Sequence, residues 1–175
     1  MFDLSKWLLF SAFLFVLFVS KTYVETNSQI PDLRIRKTGS DWPGFLGPAG
    51  DGKSPENFSI GPWGISGPSL VWQTKIGESY GAPAISRGRL FIFDRHQNLA
   101  RLSCMRSEKK ELLWQLEYPT DYKDIYGYNN GPRTCPAVDN DRVYIYGSKC
   151  LFHCLNFFVG ALWRKIDACP GLYVV

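Results

Sequence analysis

Hydrophobic and polar residues alternate in different ways along the chain. Residues 7–19 are apolar except for Ser11, whereas residues 21–40 are polar with no sustained period. Short stretches of alternating apolar and polar residues begin at residue 69, after a segment dense in Gly and Pro. Alternation between turn signals is typical of half-buried β-strands. The pattern predicts an N-terminal hydrophobic helix at 1–20, a linker at 21–40, an irregular opening segment at 41–68 and an all-β region at 69–166.

The N-terminal segment predicts export from the cytoplasm. An apolar helix over residues 7–19 would be about 20 Å long, shorter than the roughly 30 Å core of a bilayer. A secretory signal, with an apolar region of about 7–15 residues, fits that length. Residues 18–21 (FVSK) contain no clean small-x-small cleavage site. A cleaved signal peptide and an uncleaved anchor over residues 7–24 are both compatible, and we expect a periplasmic or cell-envelope protein that contacts the membrane if the anchor persists.

The region that follows contains an internal repeat. Residues 83–93 (PAISRGRLFIF) match residues 136–146 (PAVDNDRVYIY) at a constant offset. Each copy predicts a strand, a two-residue turn and a second strand, and Arg87-Gly88 and Asn140-Asp141 suit the positive φ of hairpin turns. Four short antiparallel strands in about 40–50 residues are the signature of a β-propeller blade. We therefore predict about two blades in residues 69–166.

The remaining strands of each copy are predicted to end on tryptophan. A third strand is expected at 99–104 and again at 150–155, and the fourth at 111–114 and 161–163. A further strand at 69–72 precedes the first copy. We interpret Trp72, Trp114 and Trp163 as structural repeat residues that pack in the core between blades.

These repeats resemble the β-propellers of the pyrroloquinoline-quinone (PQQ) repeat family, also called quinoprotein-like, whose repeat reads A-x-D-x-x-T-G-x-x-x-W. Residues 41–56 (DWPGFLGPAGDGKSPE) are similar to the opening of an exported bacterial subgroup, with Leu46 where Arg is usual. Residues 118–136 are similar to an insertion of the same subgroup. The resemblance implies a bacterial propeller scaffold, with PQQ and calcium as possible cofactors.

The sequence departs from the family pattern in two places. The turns at 106–110 and 156–160 lack the usual Asp and Thr-Gly, and nothing after Asp167 matches a third blade. Two blades do not close a ring of typically four to eight. We therefore expect an N-terminal fragment with an incomplete ring and an irregular, truncated end at 167–175; a pseudogene product without a stable fold is the other interpretation.

Residues 121–133 form the polar and aromatic insertion between the predicted blades, and loops on rigid scaffolds are where binding residues concentrate. Its ligand-binding candidates combine hard-cation ligands, an anion-binding guanidinium and flat rings for a sugar or a quinone: Asp121, Asp124, Asn130, Arg133, Tyr126 and Tyr128. The alternative is a loop that satisfies itself, with Arg133 paired to Asp121 or Asp124.

Composition and short motifs exclude several classes of function. The net charge of +4 is scattered, which does not favour nucleic-acid binding. Residues 47–54 match a phosphate-binding loop, but Pro55 follows and no strand–loop–helix pattern surrounds them. The five cysteines contain no CxxC pair and predict no metal site. Neither His96 nor His153 has an acid or nucleophile at recognisable spacing, so no catalytic residue is predicted.

The sequence thus favours an exported, non-catalytic propeller fragment that presents a binding surface to an envelope protein or an extracellular polymer. The alternative function is a fragment of a PQQ-dependent dehydrogenase, an oxidoreductase that holds its quinone near calcium. The active-site residues of such enzymes have no match in this sequence.

Overall fold

The computed structural model describes residues 31–35, 38–57 and 61–168. Two four-stranded antiparallel sheets make up the regular structure of these residues, which contain no helix. The all-β prediction is therefore confirmed for the described part of the chain. A search of the same residues for an apolar helix long enough to cross a bilayer finds none. The predicted helix at 1–20, the anchor at 7–24, most of the linker and the end beyond residue 168 lie outside the described residues.

The first sheet, sheet 1, contains β1 (Ala84–Ser86), β2 (Arg89–His96), β3 (Leu99–Arg106) and β4 (Leu112–Pro119) in sequential order. Sheet 2 repeats the arrangement with β5 (Ala137–Asp139), β6 (Arg142–Tyr146), β7 (Leu151–Asn156) and β8 (Leu162–Asp167). The predicted turns occur between the first two strands of each sheet, where Arg87, Gly88 and Asn140 have positive φ. The repeat found in the sequence thus corresponds to two copies of one strand order.

One predicted strand is absent, and the predicted ends of two others are wrong. Residues 69–72 form no strand, because the chain there is irregular and its backbone pairs with no neighbouring strand. The fourth strands do not end on tryptophan: β4 continues five residues beyond Trp114 to Pro119, and β8 continues beyond Trp163 to Asp167. Each tryptophan instead lies near the start of its strand, which begins at Leu112 in sheet 1 and at Leu162 in sheet 2.

The two fourth strands pair in the same register, but the tryptophan lies one residue earlier in β8 than in β4. Cys104 of β3 pairs with Trp114, whereas Cys154, at the equivalent place in β7, pairs with Arg164. Both strands contain a bulge one residue earlier, at Leu113 and at Trp163. Arg164 therefore occupies the place of Trp114. The prediction that Trp163 packs in the core is wrong, since its side chain is 61% exposed.

The two sheets pack face to face around a shared apolar core. Phe91 and Trp114 of sheet 1 contact the turn that follows β7, and the ring centroids of Phe91 and Phe157 are 5.3 Å apart. Val143 and Leu155 of sheet 2 are fully buried on the same side. Residues paired across antiparallel strands share one face, so the core uses one face of each sheet.

The same tryptophan hydrogen bond occurs in two successive units of the chain. Trp72 Nε1 donates to the carbonyl oxygen of Ser107, 2.8 Å away, in the turn between β3 and β4. Trp114 Nε1 donates to the carbonyl oxygen of Phe157, 3.1 Å away, in the equivalent turn of sheet 2. Each indole thus caps the β-turn of the unit that follows it. The irregular segment around Trp72 thus contacts sheet 1 through the same kind of indole hydrogen bond that sheet 1 makes to sheet 2.

The Gly- and Pro-rich opening segment joins the first strands of the two sheets. Trp42 forms an antiparallel bridge with Ile85 of β1, and the carbonyl oxygen of Pro43 accepts from the amide of Val138 in β5. Other apolar residues of the segment, such as Phe45 and Trp63, are exposed rather than packed. The segment is therefore held by its backbone at residues 42–43 and by the Asp41 carboxylate, which accepts hydrogen bonds from Ser86 and from the amide of Arg87.

Candidate functional site

The candidate loop connects the two sheets, from the end of β4 at Pro119 to the start of β5 at Ala137. It leaves β4 with Thr120, whose amide donates to the carbonyl oxygen of Asn98 in the β2–β3 turn. Sheet 1 supports the loop here because β2 extends to His96, past the length of its counterpart β6. The loop therefore begins on a rigid hairpin.

Asp124 lies inside the loop and bonds to other residues of it. Its side chain is 3% exposed and its Oδ1 atom lies 2.7 Å from the Arg133 guanidinium. Oδ2 accepts the amide of Tyr128 at 2.9 Å, and the backbone amide of Asp124 donates to Asn130 Oδ1 at 2.9 Å. Of the pairings that the sequence left open for Arg133, the observed one is with Asp124. Both carboxylate oxygens are thus engaged within the loop.

Arg95 of β2 holds the loop against sheet 1 by hydrogen bonds. This buried side chain donates from Nη1 to the carbonyl oxygens of Tyr122 and Asn130, and from Nε to the carbonyl oxygen of Gln97. Each bond uses a charged donor, which makes it stronger than a neutral one. Sequence reasoning missed Arg95, because a single arginine in a strand carries no signal of what it holds.

A second missed contact comes from the segment before sheet 1. Glu78 Oε2 accepts the amide of Asn130 at 2.7 Å, and the amide of Tyr80 donates to the carbonyl oxygen of Pro132 at 2.9 Å. The guanidinium carbon of Arg133 also lies 4.8 Å from the Tyr80 ring centroid. These residues are about fifty positions from the loop, so no local spacing could have indicated them.

The candidate cation ligands do not converge. Asp121 is 80% exposed and forms an ion pair with Lys149, whose hydrogen bond lowers the pKa of the carboxyl group. It borders a shallow cleft of about 390 Å³ that is also lined by Arg95 and Lys123. The described residues contain no group of three His, Cys, Asp or Glu side chains able to hold a metal ion. With the oxygens of Asp124 already bonded to protein donors, these residues do not fit a bound calcium.

The two candidate tyrosines point outward and lie together. Tyr126 is 72% exposed and Tyr128 is 81% exposed, and their ring centroids are 6.1 Å apart with an angle of 24° between the planes. Gly127 separates them with a positive φ of 70°, which a residue without Cβ adopts at no steric cost. Ile125, also exposed, extends the apolar tip. The loop thus presents a flat aromatic surface on a polar base.

Two cysteines and one histidine of the sheets lie in the core. Cys104 and Cys154 are buried at equivalent places in β3 and β7, and burial raises the pKa of the Cys104 thiol to about 12. His153 is 2% exposed in β7 and stacks on Tyr118 with ring centroids 4.5 Å apart. A protonated thiol and a buried imidazole are poorly placed to react with a solute.

Comparison with known proteins leaves the geometry as the main guide to function. No protein-family model matches the chain, and no curated protein matches it significantly.

Proposed function

We propose that this protein is a non-catalytic binding scaffold of the cell envelope, built from two β-propeller blades of the PQQ-repeat type. It binds an extracellular polymer or another envelope protein through the exposed Tyr126–Tyr128 pair. The observation that carries the proposal is that the polar and the aromatic side chains of the loop have different roles. Its polar groups are used to hold its own backbone, while its rings face solvent.

The stacking of the two sheets supports the propeller interpretation. The indole contact from Trp72 to Ser107 recurs from Trp114 to Phe157, so one geometric relation is used twice. The first strands β1 and β5 also contact each other, as the innermost strands of neighbouring blades do. Export is proposed from the apolar run at residues 7–19, which precedes the described residues.

Rigidity of the loop supports binding rather than chemistry. A tyrosine offers a large contact area with only two rotatable side-chain bonds, and a preformed loop loses little entropy when it binds. The side chains of Asp121, Asp124, Asn130 and Arg133 bond to one another, to Lys149 or to the loop backbone, which supports a binding scaffold over the alternative of a PQQ-dependent dehydrogenase.

The test compares wild-type protein with a Tyr126→Ala, Tyr128→Ala double variant. Co-sedimentation with cell-wall sacculi and with insoluble polysaccharides measures binding to polymers, and photo-crosslinking from position 126 in an envelope extract captures a protein. We expect the double variant to lose affinity at least tenfold, because a central interface tyrosine contributes about 2 kcal/mol or more and 1.4 kcal/mol is a factor of ten.

Phe45→Ala is the matched control, because Phe45 is an equally exposed ring on a different segment. It is expected to leave binding unchanged. Equal binding by wild type and by the double variant in both assays would refute the proposal, as would equal losses in the double variant and the control.

A further inference from the structure

A shallow cleft opens where the candidate loop leaves sheet 1. Its volume is about 390 Å³, a size that suits a small ligand or one unit of a larger one. We call it the loop cleft and define it by the six residues that line it: Arg95, Asn98, Pro119, Thr120, Asp121 and Lys123. The loop cleft is thus formed by the β2–β3 hairpin, the end of β4 and the first residues of the loop.

Arg95 places a positive charge at the loop cleft without a carboxylate to balance it. The residue is 8% exposed, and its hydrogen bonds go to neutral oxygens, the carbonyls of Gln97, Tyr122 and Asn130 and the side-chain amide of Asn98. These bonds use four of the five N–H groups of a guanidinium, which leaves one on Nη2. Burial disfavours an unbalanced charge, so a buried guanidinium normally has an anionic partner.

The carboxylates around the loop cleft are already engaged by other groups. Asp121 is the one carboxylate of the lining, and it forms an ion pair with Lys149. Two carboxylates next to the lining are bonded elsewhere: Asp124 to Arg133 and Glu78 to the amide of Asn130. Lys123 is exposed, and its side chain forms no ion pair or hydrogen bond with another described residue. The lining therefore contains two cations, Arg95 and Lys123, that no carboxylate of the described residues neutralises.

We propose that the loop cleft binds the acidic group of a sugar, a carboxylate or a phosphate, in an acidic polysaccharide whose neighbouring sugar rings contact the Tyr126–Tyr128 pair. The inference rests on the binding function proposed above and names the class of polymer that is bound. Guanidinium and ammonium groups bind carboxylate and phosphate oxygens through charge-assisted hydrogen bonds. Lys123 supplies an unused ammonium group at the rim, and Arg95 supplies the buried charge behind it.

The loop cleft and the tyrosine pair are close enough to hold one ligand. Lys123 and Tyr126 are three residues apart, so their Cα atoms are separated by at most about 11 Å. Both lie on the loop whose backbone is bonded to Arg95 and to Asp124, which fixes their spacing before a ligand arrives. A preformed site loses little entropy on binding. A polymer with an acidic group on one sugar can therefore occupy the cleft while an adjacent sugar contacts the rings.

The small size of the surface favours a polysaccharide over a folded protein. A stable interface between two proteins buries about 800 Å² on each partner. The exposed apolar tip of the loop consists of three side chains, Ile125, Tyr126 and Tyr128. A polysaccharide needs only a few such contacts, and it repeats its acidic group along the chain, so that a released unit is replaced by its neighbour at high effective concentration.

The first test compares acidic oligosaccharides with their uncharged counterparts. Isothermal titration calorimetry on the full-length chain in mild detergent uses oligogalacturonate and its methyl ester, and phosphomannan and its dephosphorylated form. We expect at least one acidic oligomer to bind tenfold or more tightly than its counterpart, with an advantage that shrinks as salt screens the charges. The acidic oligomer that binds more tightly identifies carboxylate or phosphate as the preferred group. Equal affinity within both pairs, or no binding by either acidic oligomer, would overturn the proposal.

The second test changes the charge of the lining in both directions. Lys123→Gln should weaken binding of the acidic oligomer about fivefold or more and leave binding of the uncharged one unchanged. Asp121→Asn should strengthen binding of the acidic oligomer about threefold, because it removes a carboxylate from the lining and releases Lys149. Lys109→Gln is the matched control, since Lys109 is an exposed lysine in the β3–β4 turn, at the other end of sheet 1. Equal losses in Lys123→Gln and the control, or a loss in Asp121→Asn, contradict the acid site.

The Tyr126→Ala, Tyr128→Ala double variant separates this inference from the function on which it rests. Weaker binding of acidic and uncharged oligomers by the double variant, with no effect of Lys123→Gln, would keep the binding function and refute the acid site. An effect of Lys123→Gln on the acidic oligomer, with none of the double variant, would refute the role of the tyrosine pair and keep the acid site. We expect both variants to weaken binding of the acidic oligomer.

Discussion

Sheets 1 and 2 share a strand order and a turn pattern, yet they differ in what surrounds them. Sheet 1 packs against sheet 2 through one face, residues 72–78 are hydrogen-bonded to its β3–β4 turn and to Asp94, and its β2–β3 hairpin supports the candidate loop. Sheet 2 is covered on one face, and every residue of β8 is exposed. The same repeat thus forms an interior unit in one place and a boundary unit in the other.

The difference shows that burial in a repeat depends on neighbours as well as on the repeat's own residues. Phe91 and Tyr144 are equivalent by the offset of the repeat, but Phe91 is fully buried and Tyr144 only partly so. Exposed positions accept a hydroxyl or a charge at little cost, which is consistent with Tyr and Arg at places where sheet 1 has Phe and Trp. Substitutions at matched positions can test this contrast directly.

The largest expected effect is the loss of a core ring. Phe91→Ala should lower the free energy of unfolding by about 3–5 kcal/mol, because it removes buried apolar area and leaves a cavity between Trp114 and Phe157. Tyr144→Ala, at the equivalent place in sheet 2, should cost about 1 kcal/mol. Urea unfolding followed by tryptophan fluorescence measures both. Equal losses would mean that the two positions do not differ in burial in solution.

The next effect compares the turns that precede β4 and β8. Gly160 has a φ of 65° and lies under the Trp114 ring, where an added Cβ would come within 2.4 Å of a ring carbon. Gly160→Ala should therefore destabilise by about 2–3 kcal/mol, combining left-handed strain with displacement of the indole.

Lys110 is the matched control for this turn. It occupies the equivalent place with a φ of 58° and already bears a Cβ, so Lys110→Ala should change stability by less than about 0.5 kcal/mol. Thermal unfolding compares the two variants. A similar loss in both would show that the Trp114 contact does not distinguish the turns.

A smaller effect tests the repeated indole contact. Trp114→Phe removes a buried hydrogen bond to the carbonyl oxygen of Phe157 and should cost roughly 1–3 kcal/mol, since the acceptor loses its partner. Trp72→Phe removes the corresponding bond to Ser107 at a half-buried site and should cost less, about 0.5–1 kcal/mol. The reverse order in urea unfolding would show that the segment around Trp72 makes the tighter of the two contacts.

The smallest effect is a pH dependence specific to sheet 2. Burial, together with the charge of Lys165, lowers the pKa of His153, which stacks on Tyr118 and whose Nδ1 has no hydrogen-bond partner among the described residues. Below its usual pKa of about 6.5 the unfolded chain binds this proton more readily than the folded one, so stability should fall as the pH drops from 6.5 toward the lowered value.

His153→Ser provides the control for that dependence, because Ser103 stands at the equivalent place in sheet 1. The variant should lose the decline in stability between pH 7.5 and pH 5.5. Parallel urea titrations of both proteins at several pH values measure it, and an unchanged decline in the variant would assign the effect to other groups.

Local patterns predicted the repeat units well. Alternation and turn residues gave β1, β2, β5 and β6 and the turns at Arg87 and Asn140, because strand periodicity and positive φ are properties of a few neighbouring residues. The candidate loop was also found from its composition. Its partners Arg95 and Glu78 were missed, since each lies far from the loop in sequence.

The sequence by itself determined an all-β region at residues 69–166 with two copies of one four-stranded unit, and a loop rich in tyrosine and acid between them. Only the tertiary structure decided that Asp124 forms an ion pair with Arg133 and accepts a hydrogen bond from the loop backbone. It also decided that Arg164 takes the place of Trp114 and that Trp163 faces solvent. These outcomes depend on strand register and on which face meets a neighbour. A shift of one residue reverses the face on which a side chain lies, and local composition does not report that shift.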